Sequence, residues 1–118
     1  MSRTTHERLA DAVLHLDAAI AYAAEGTFDE KTIDAICMRI SAGIEALNAL
    51  SPHRRDQLFG DEWPAMWGMR NRIAHTYSRV EVAVIIATVR EDLPEIRSRI
   101  RAYLDTSRLC VVNPVATP

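Results

Sequence analysis

Residues 29–52, DEKTIDAICMRISAGIEALNALSP, decide the fold class. Ile33, Ile36, Cys37, Ile40, Ile44, Leu47 and Leu50 recur every three or four positions, which lines them up on one stripe of an α-helix. Asp29 stands where an N-cap belongs, and Ser51-Pro52 closes the run because a residue ahead of proline avoids the α region. The same grammar repeats on both sides. Upstream, Thr4 or Thr5 opens a run of Leu9, Val13, Leu16, Ile20 and Ala23–Ala24 that stops near Gly26. Downstream, a short charged segment from His53 to Phe59 reads as helical and ends at Gly60. Pro64 then sits at a first-turn position, so a third main helix is predicted from Trp63 to His75 or Tyr77. Ser78-Arg79 reads as a break and Val80–Glu91 as a fourth helix. Asp92-Leu93-Pro94 marks the start or kink of a fifth, which carries Ile96, Ile100, Tyr103 and Leu104. From Thr106 the period is lost, so residues 106–118 read as an irregular tail behind a single domain at 1–105. The expected architecture is all-α, an up-and-down bundle of four to five helices.

Composition agrees with this reading. A chain of 118 residues holds one core, and 4 Gly, 5 Pro and a 6% aromatic share speak against a small β-sandwich or barrel. The longest apolar runs, Ala18–Ala24 and Val82–Ala87, are far shorter than the ~20 residues of a membrane span. The N-terminus leads into no signal-type stretch, and Cys37 and Cys110 form no CxxC. A reduced, soluble, cytoplasmic chain is the expectation, with Cys37 buried in a helix. The net charge of −2 argues against a protein that is basic all over. The charge is nevertheless polarised: residues 1–69 hold 6 basic and 11 acidic side chains, net −5, whereas residues 70–118 hold 8 Arg and 5 acids, net +3.

The helix from Trp63 carries the chemistry. At about 100° per residue, Met66, Met69 and Ile73 form its core stripe, and Trp67, Gly68, Asn71, Ala74 and His75 fall on the other side. An aromatic, two small residues, an amide and an imidazole do not resemble a solvated face. They fit a second buried surface, most simply a two-fold interface anchored by Trp67, with Gly68, Asn71 and Ala74 in contact. Such an interface would set Arg70, Asn71 and His75 of one chain beside those of its twin. The result is a basic groove in which Arg70, Arg72 and Arg79 bind RNA phosphates. The His75 imidazole can give or take a proton, while the 2′-OH of RNA supplies the nucleophile. A helix-terminal His also serves as a plain dipole partner, and a Tyr past a helix end, here Tyr77, commonly packs with a wet hydroxyl.

Other constellations are absent from the sequence. His6, His15 and His53 are scattered without metal-ligand spacing and read as solvated. Asp29-Glu30 and Asp61-Glu62 complement helix N-termini rather than forming a two-metal site. No Gly-rich phosphate loop and no GxSxG occur, so no metal and no cofactor are expected.

The segment Trp67-Gly68-Met69-Arg70-Asn71-Arg72-Ile73-Ala74-His75-Thr76-Tyr77 resembles the signature of HEPN-domain proteins in its extended form, Arg-Asn-x3-His-x-Tyr, typical of the HepT toxin family. Val80-Glu81, Val84-Ile85 and Asp92-Leu93-Pro94 are similar to that family's continuation, and the resemblance covers roughly residues 5–105. It implies an all-α homodimer acting as a metal-independent endoribonuclease toxin, with Arg70 and His75 as the catalytic pair and Asn71 as their polar helper. It also implies a toxin–antitoxin partnership with a minimal nucleotidyltransferase, which transfers AMP to the motif tyrosine, here Tyr77. Ile86 departs from the pattern, standing where many relatives place a Trp. A reading of a different class remains open: a non-catalytic helical module that uses Trp67, Asn71 and His75 only to bind and position a nucleotidyltransferase.

Overall fold

The computed structural model describes residues 4–76 and 81–112. Six α-helices follow in order: α1 (Thr5–Ala24), α2 (Glu30–Asn48), α3 (Pro52–Phe59), α4 (Trp63–Thr76), α5 (Val82–Ala87) and α6 (Leu93–Val112). No strand occurs among the described residues, so the all-α expectation holds.

Local chemistry sets the helix starts. Thr4 accepts from the Glu7 N–H while its own N–H reaches the Glu7 carboxylate, a complete capping box for α1. Asp29 Oδ1 accepts from the Thr32 N–H at 2.8 Å, and the Thr32 side chain first and this backbone bond second hold the Asp29 carboxyl below the usual carboxylate range. Ser51 caps α3 with Pro52 in its first turn. Between α1 and α2 the chain turns at Gly26, whose φ of +79° costs an L side chain strain.

α1 and α2 run antiparallel, with Leu16 against Gly43 and Tyr22 against Arg39. At Gly43 any Cβ would come within 3.0 Å of Leu16 Cδ2, so the small residue permits the close approach. α6 lies against α1, and α4 against α2. Leu9, Leu16, Ile36, Ile40, Leu47, Ile85, Leu93 and Ile100 are fully buried at the centre. Each such side chain contributes roughly 1.5–3 kcal/mol relative to exposure. Every stripe residue of the 29–52 segment from Ile36 to Leu50 is buried, and Ile33 is partly buried against the same core.

Two places differ in detail from the sequence reading. First, α6 starts at Leu93, as expected from Asp92-Leu93-Pro94, but without a break from the helix before it. The chain continues from α5 through a π-turn at Thr88–Asp92 directly into α6, with the Leu93 N–H bonded to the Thr88 carbonyl. The wider turn accommodates the Pro94 ring, which would clash with the carbonyl four residues back in a regular α-helix. Second, the helix does not stop at Thr106: α6 continues to Val112, so the irregular tail expected from that point is helical over its first residues, Cys110 included. No Gly or Pro at 106 terminates the ladder, and the Thr106 hydroxyl bonds back to the Ala102 carbonyl within the helix. The break expected at Ser78-Arg79 lies outside the described residues.

No helix among the described residues is long and apolar enough to cross a membrane.

Candidate active site

α4 presents its side chains as the helical projection requires. Met66 and Ile73 are buried, and Met69 is partly buried against the core. Trp67 also packs against the core, so the face opposite the main stripe is not free of intramolecular work. Its ring stacks on that of Trp63, one turn earlier, at 6.0 Å and 22°, and Trp63 stacks on Phe59 at 6.2 Å. The three rings form a ladder from the end of α3 along α4. Guanidinium groups top it, with Arg55 over Trp63 at 5.1 Å and Arg70 over Trp67 at 4.9 Å.

Arg70 is thereby fixed in a defined plane. Its Nη1 donates to Asn71 Oδ1 at 3.1 Å, and its Nη2 pairs with Glu45 Oε1 on α2. Its Nε is buried and makes no hydrogen bond. An orphaned buried donor costs roughly 1–3 kcal/mol. Arg55, on α3, likewise keeps a buried, unbonded Nε, while its Nη1 reaches Asn48 Oδ1 at 2.6 Å.

His75 sits exposed in the last turn of α4, where an imidazolium complements the helix dipole. Among the described residues no hydrogen bond or ion pair joins it to Arg70. Arg70 and Asn71 are thus joined by a hydrogen bond, and His75 follows one turn after Asn71 on the same helix. Gly68 faces open space, since a Cβ built there would meet no atom within 4 Å; Ala74 is exposed and Asn71 half-buried. Arg72 is exposed and lines a cavity of about 480 Å³ shared by α4, the π-turn and α6. Tyr77 and Arg79 lie outside the described residues.

Asp92, at the mouth of that cavity, has its carboxyl pushed up by burial and then by Glu91, Glu95 and Glu62. No group of three or more His, Cys, Asp or Glu among the described residues is arranged to hold a metal ion. Cys37 is buried, as expected, and burial followed by Asp34 pushes its thiol up, which keeps it a poor nucleophile.

Two polar partners escaped the sequence reading. Glu45 meets Arg70 only because α2 packs on α4, and no local spacing announces the pair. His15 is not a solvated side chain: its Nδ1 lies 3.1 Å from Arg39 Nη1, and burial together with that guanidinium pulls its pKa down.

No characterised protein and no solved structure matches the chain. The family model described as Ribonuclease HepT-like matches residues 9–103, a span that contains the whole Arg70–His75 segment and well over half the sequence. The chain belongs to the HepT-like ribonuclease family.

Proposed function

We propose that this chain is the toxin of a toxin–antitoxin pair, an endoribonuclease that works as a homodimer with a composite Arg/His site. The observation that carries the reading is the combination of a fixed, half-buried Arg70 and an exposed His75 on one helix of a HepT-like chain. In a two-fold dimer through Trp67, Gly68, Asn71 and Ala74, the His75 of each protomer would reach the cleft at the edge of the interface. There the 2′-oxygen forms a bond to the adjacent phosphorus as its proton passes to an imidazole. The bond to the 5′-oxygen breaks, and that oxygen takes a proton from the acid form of an imidazole. Arg70 stabilises the charge growing on the phosphoryl oxygens, and the product is a 2′,3′-cyclic phosphate. Arg72 and Arg79 would hold flanking phosphates, so binding weakens as salt rises.

A nucleotidyltransferase antitoxin would silence the site by transferring AMP to Tyr77, placing an added phosphate and a bulky nucleoside two residues from His75. A mass shift on Tyr77 after incubation with that enzyme and ATP tests this step.

The cleavage reading is tested by incubating wild type and His75→Ala with total RNA in the presence of chelator. Wild type is expected to produce fragments ending in cyclic phosphate, and the variant none. Equal cleavage by both removes His75 from the mechanism. One observation favours the second reading, a silent helical module that positions a nucleotidyltransferase: Arg70 is already paired within the chain. Expression in cells without a partner separates the two, since only the ribonuclease arrests growth.

A further inference from the structure

A guanidinium grips a phosphate with one of two forks, Nη1 with Nη2 or Nε with Nη2. In Arg70 neither fork is open. Nη1 is committed to Asn71, Nη2 to Glu45, and Nε is buried. Glu45 Oε1 therefore occupies the place at Nη2 that a phosphoryl oxygen would take. We propose that Glu45 is a displaceable internal anion, which holds Arg70 in the resting chain and yields it to a phosphodiester of RNA. The proposal rests on the reading of Arg70 as the phosphate ligand.

The two partners are unequally held. The Arg70 side chain is 25% exposed and places its guanidinium carbon over the Trp67 ring, whereas that of Glu45 is 44% exposed. Glu45 can leave into water, while Arg70 can slide within its own plane and stay on the indole. Glu45 also borders a surface groove between α2 and α4, with Asp34 and Ser41 along it, so there is room for the carboxylate to swing away from Arg70. Two anions cannot share Nη2 without repulsion, so phosphate binding and the Glu45 contact exclude each other. Glu45 thus acts through Arg70 as a positioning residue that sets the threshold for substrate. Weak or isolated anions do not displace it. A polyanion held at Arg72 as well does so by its high local concentration.

The test measures binding of the full chain to an RNA oligonucleotide with 2′-deoxy substitution, which cannot be cleaved. Wild type, Glu45→Gln, Arg70→Ala and the double variant are compared at low and high salt, with the fold of each checked by circular dichroism. Glu45→Gln is expected to bind about three- to tenfold more tightly at low salt. The gain should vanish in the Arg70→Ala background. With cleavable RNA, KM falls for Glu45→Gln and kcat is kept. Unchanged or weaker binding, or a fall in kcat with KM constant, overturns the proposal and makes Glu45 a fixed support of Arg70. Absence of binding in every variant overturns it too. An Arg70-dependent gain in binding without any RNA cleavage by wild type keeps the proposal and removes the ribonuclease reading. Cleavage without the gain does the reverse.

Discussion

Arginines on α6 and Arg70 on α4 live in different surroundings. Arg99 donates through Nη1 and Nη2 to both oxygens of Glu62 and through Nη2 to Glu95, and those carboxylates raise its already high pKa further. Arg97 and Arg101 share Asp17 of α1. These groups pair with carboxylates and tie α6 to its neighbours at the surface. Arg70 has one carboxylate, one neutral amide, an aromatic face and a buried donor with no bond. The contrast separates Arg70 from the arginines of α6, while Arg55, over Trp63 with an amide partner and an unbonded Nε, shares its surroundings.

The largest expected effect breaks or keeps that contrast directly. Arg70→Ala should lower the rate of RNA cleavage by about a hundredfold or more, the scale of losing a donor to a developing oxyanion. Arg99→Ala should leave the rate within about threefold and lower stability by less than about 1 kcal/mol, as exposed ion pairs do. Comparable losses of rate in both variants, read from single-turnover gels, would erase the distinction.

A second measurement sharpens the role of the ring ladder. Trp67→Ala removes a half-buried indole that stacks on Trp63 and supports Arg70, so it should cost about 2 kcal/mol in urea unfolding. It should also lower activity beyond any loss of folded protein, because the Arg70 plane is no longer fixed. Activity that falls only in step with the folded fraction would show that the ladder is mere packing.

The smallest effect concerns a third arginine, Arg39, which faces an imidazole instead of a carboxylate. The folded chain lowers the pKa of His15, through burial first and Arg39 second. Below the unfolded value of about 6.5 the unfolded chain takes up a proton that the folded chain resists. Stability is then complete above that pH and falls as pH drops toward the folded pKa. The Tm should decline between pH 7.5 and 5.5, and His15→Gln should flatten the decline. An unchanged slope in the variant would assign it to other groups.

The fold was legible because its information is local. The 3.6-residue period, Asp29 and Ser51 as caps, and Gly26 as a stop each act within a turn or two of the chain, and the helices appear where these signals put them. At Pro94 the local signal marked the start of α6 but not how it joins α5. Proline forbids a regular α-turn, but burial of Val89, Leu93 and Ile96 in the core rewards continuing the rod, and a π-turn satisfies both demands. Residues 106–112 misled, since loss of apolar period does not by itself unwind a helix that has no terminator.

Of the candidate site, the sequence by itself determined which residues share α4 and which side of it each occupies, because helix geometry follows from spacing alone. Only the tertiary structure decided that Trp67 packs against the core and that Glu45 pairs with Arg70. The Glu45 contact joins α4 to a helix more than twenty residues away in sequence. Packing of one whole element on another sets such distances, and no spacing within a single element encodes them.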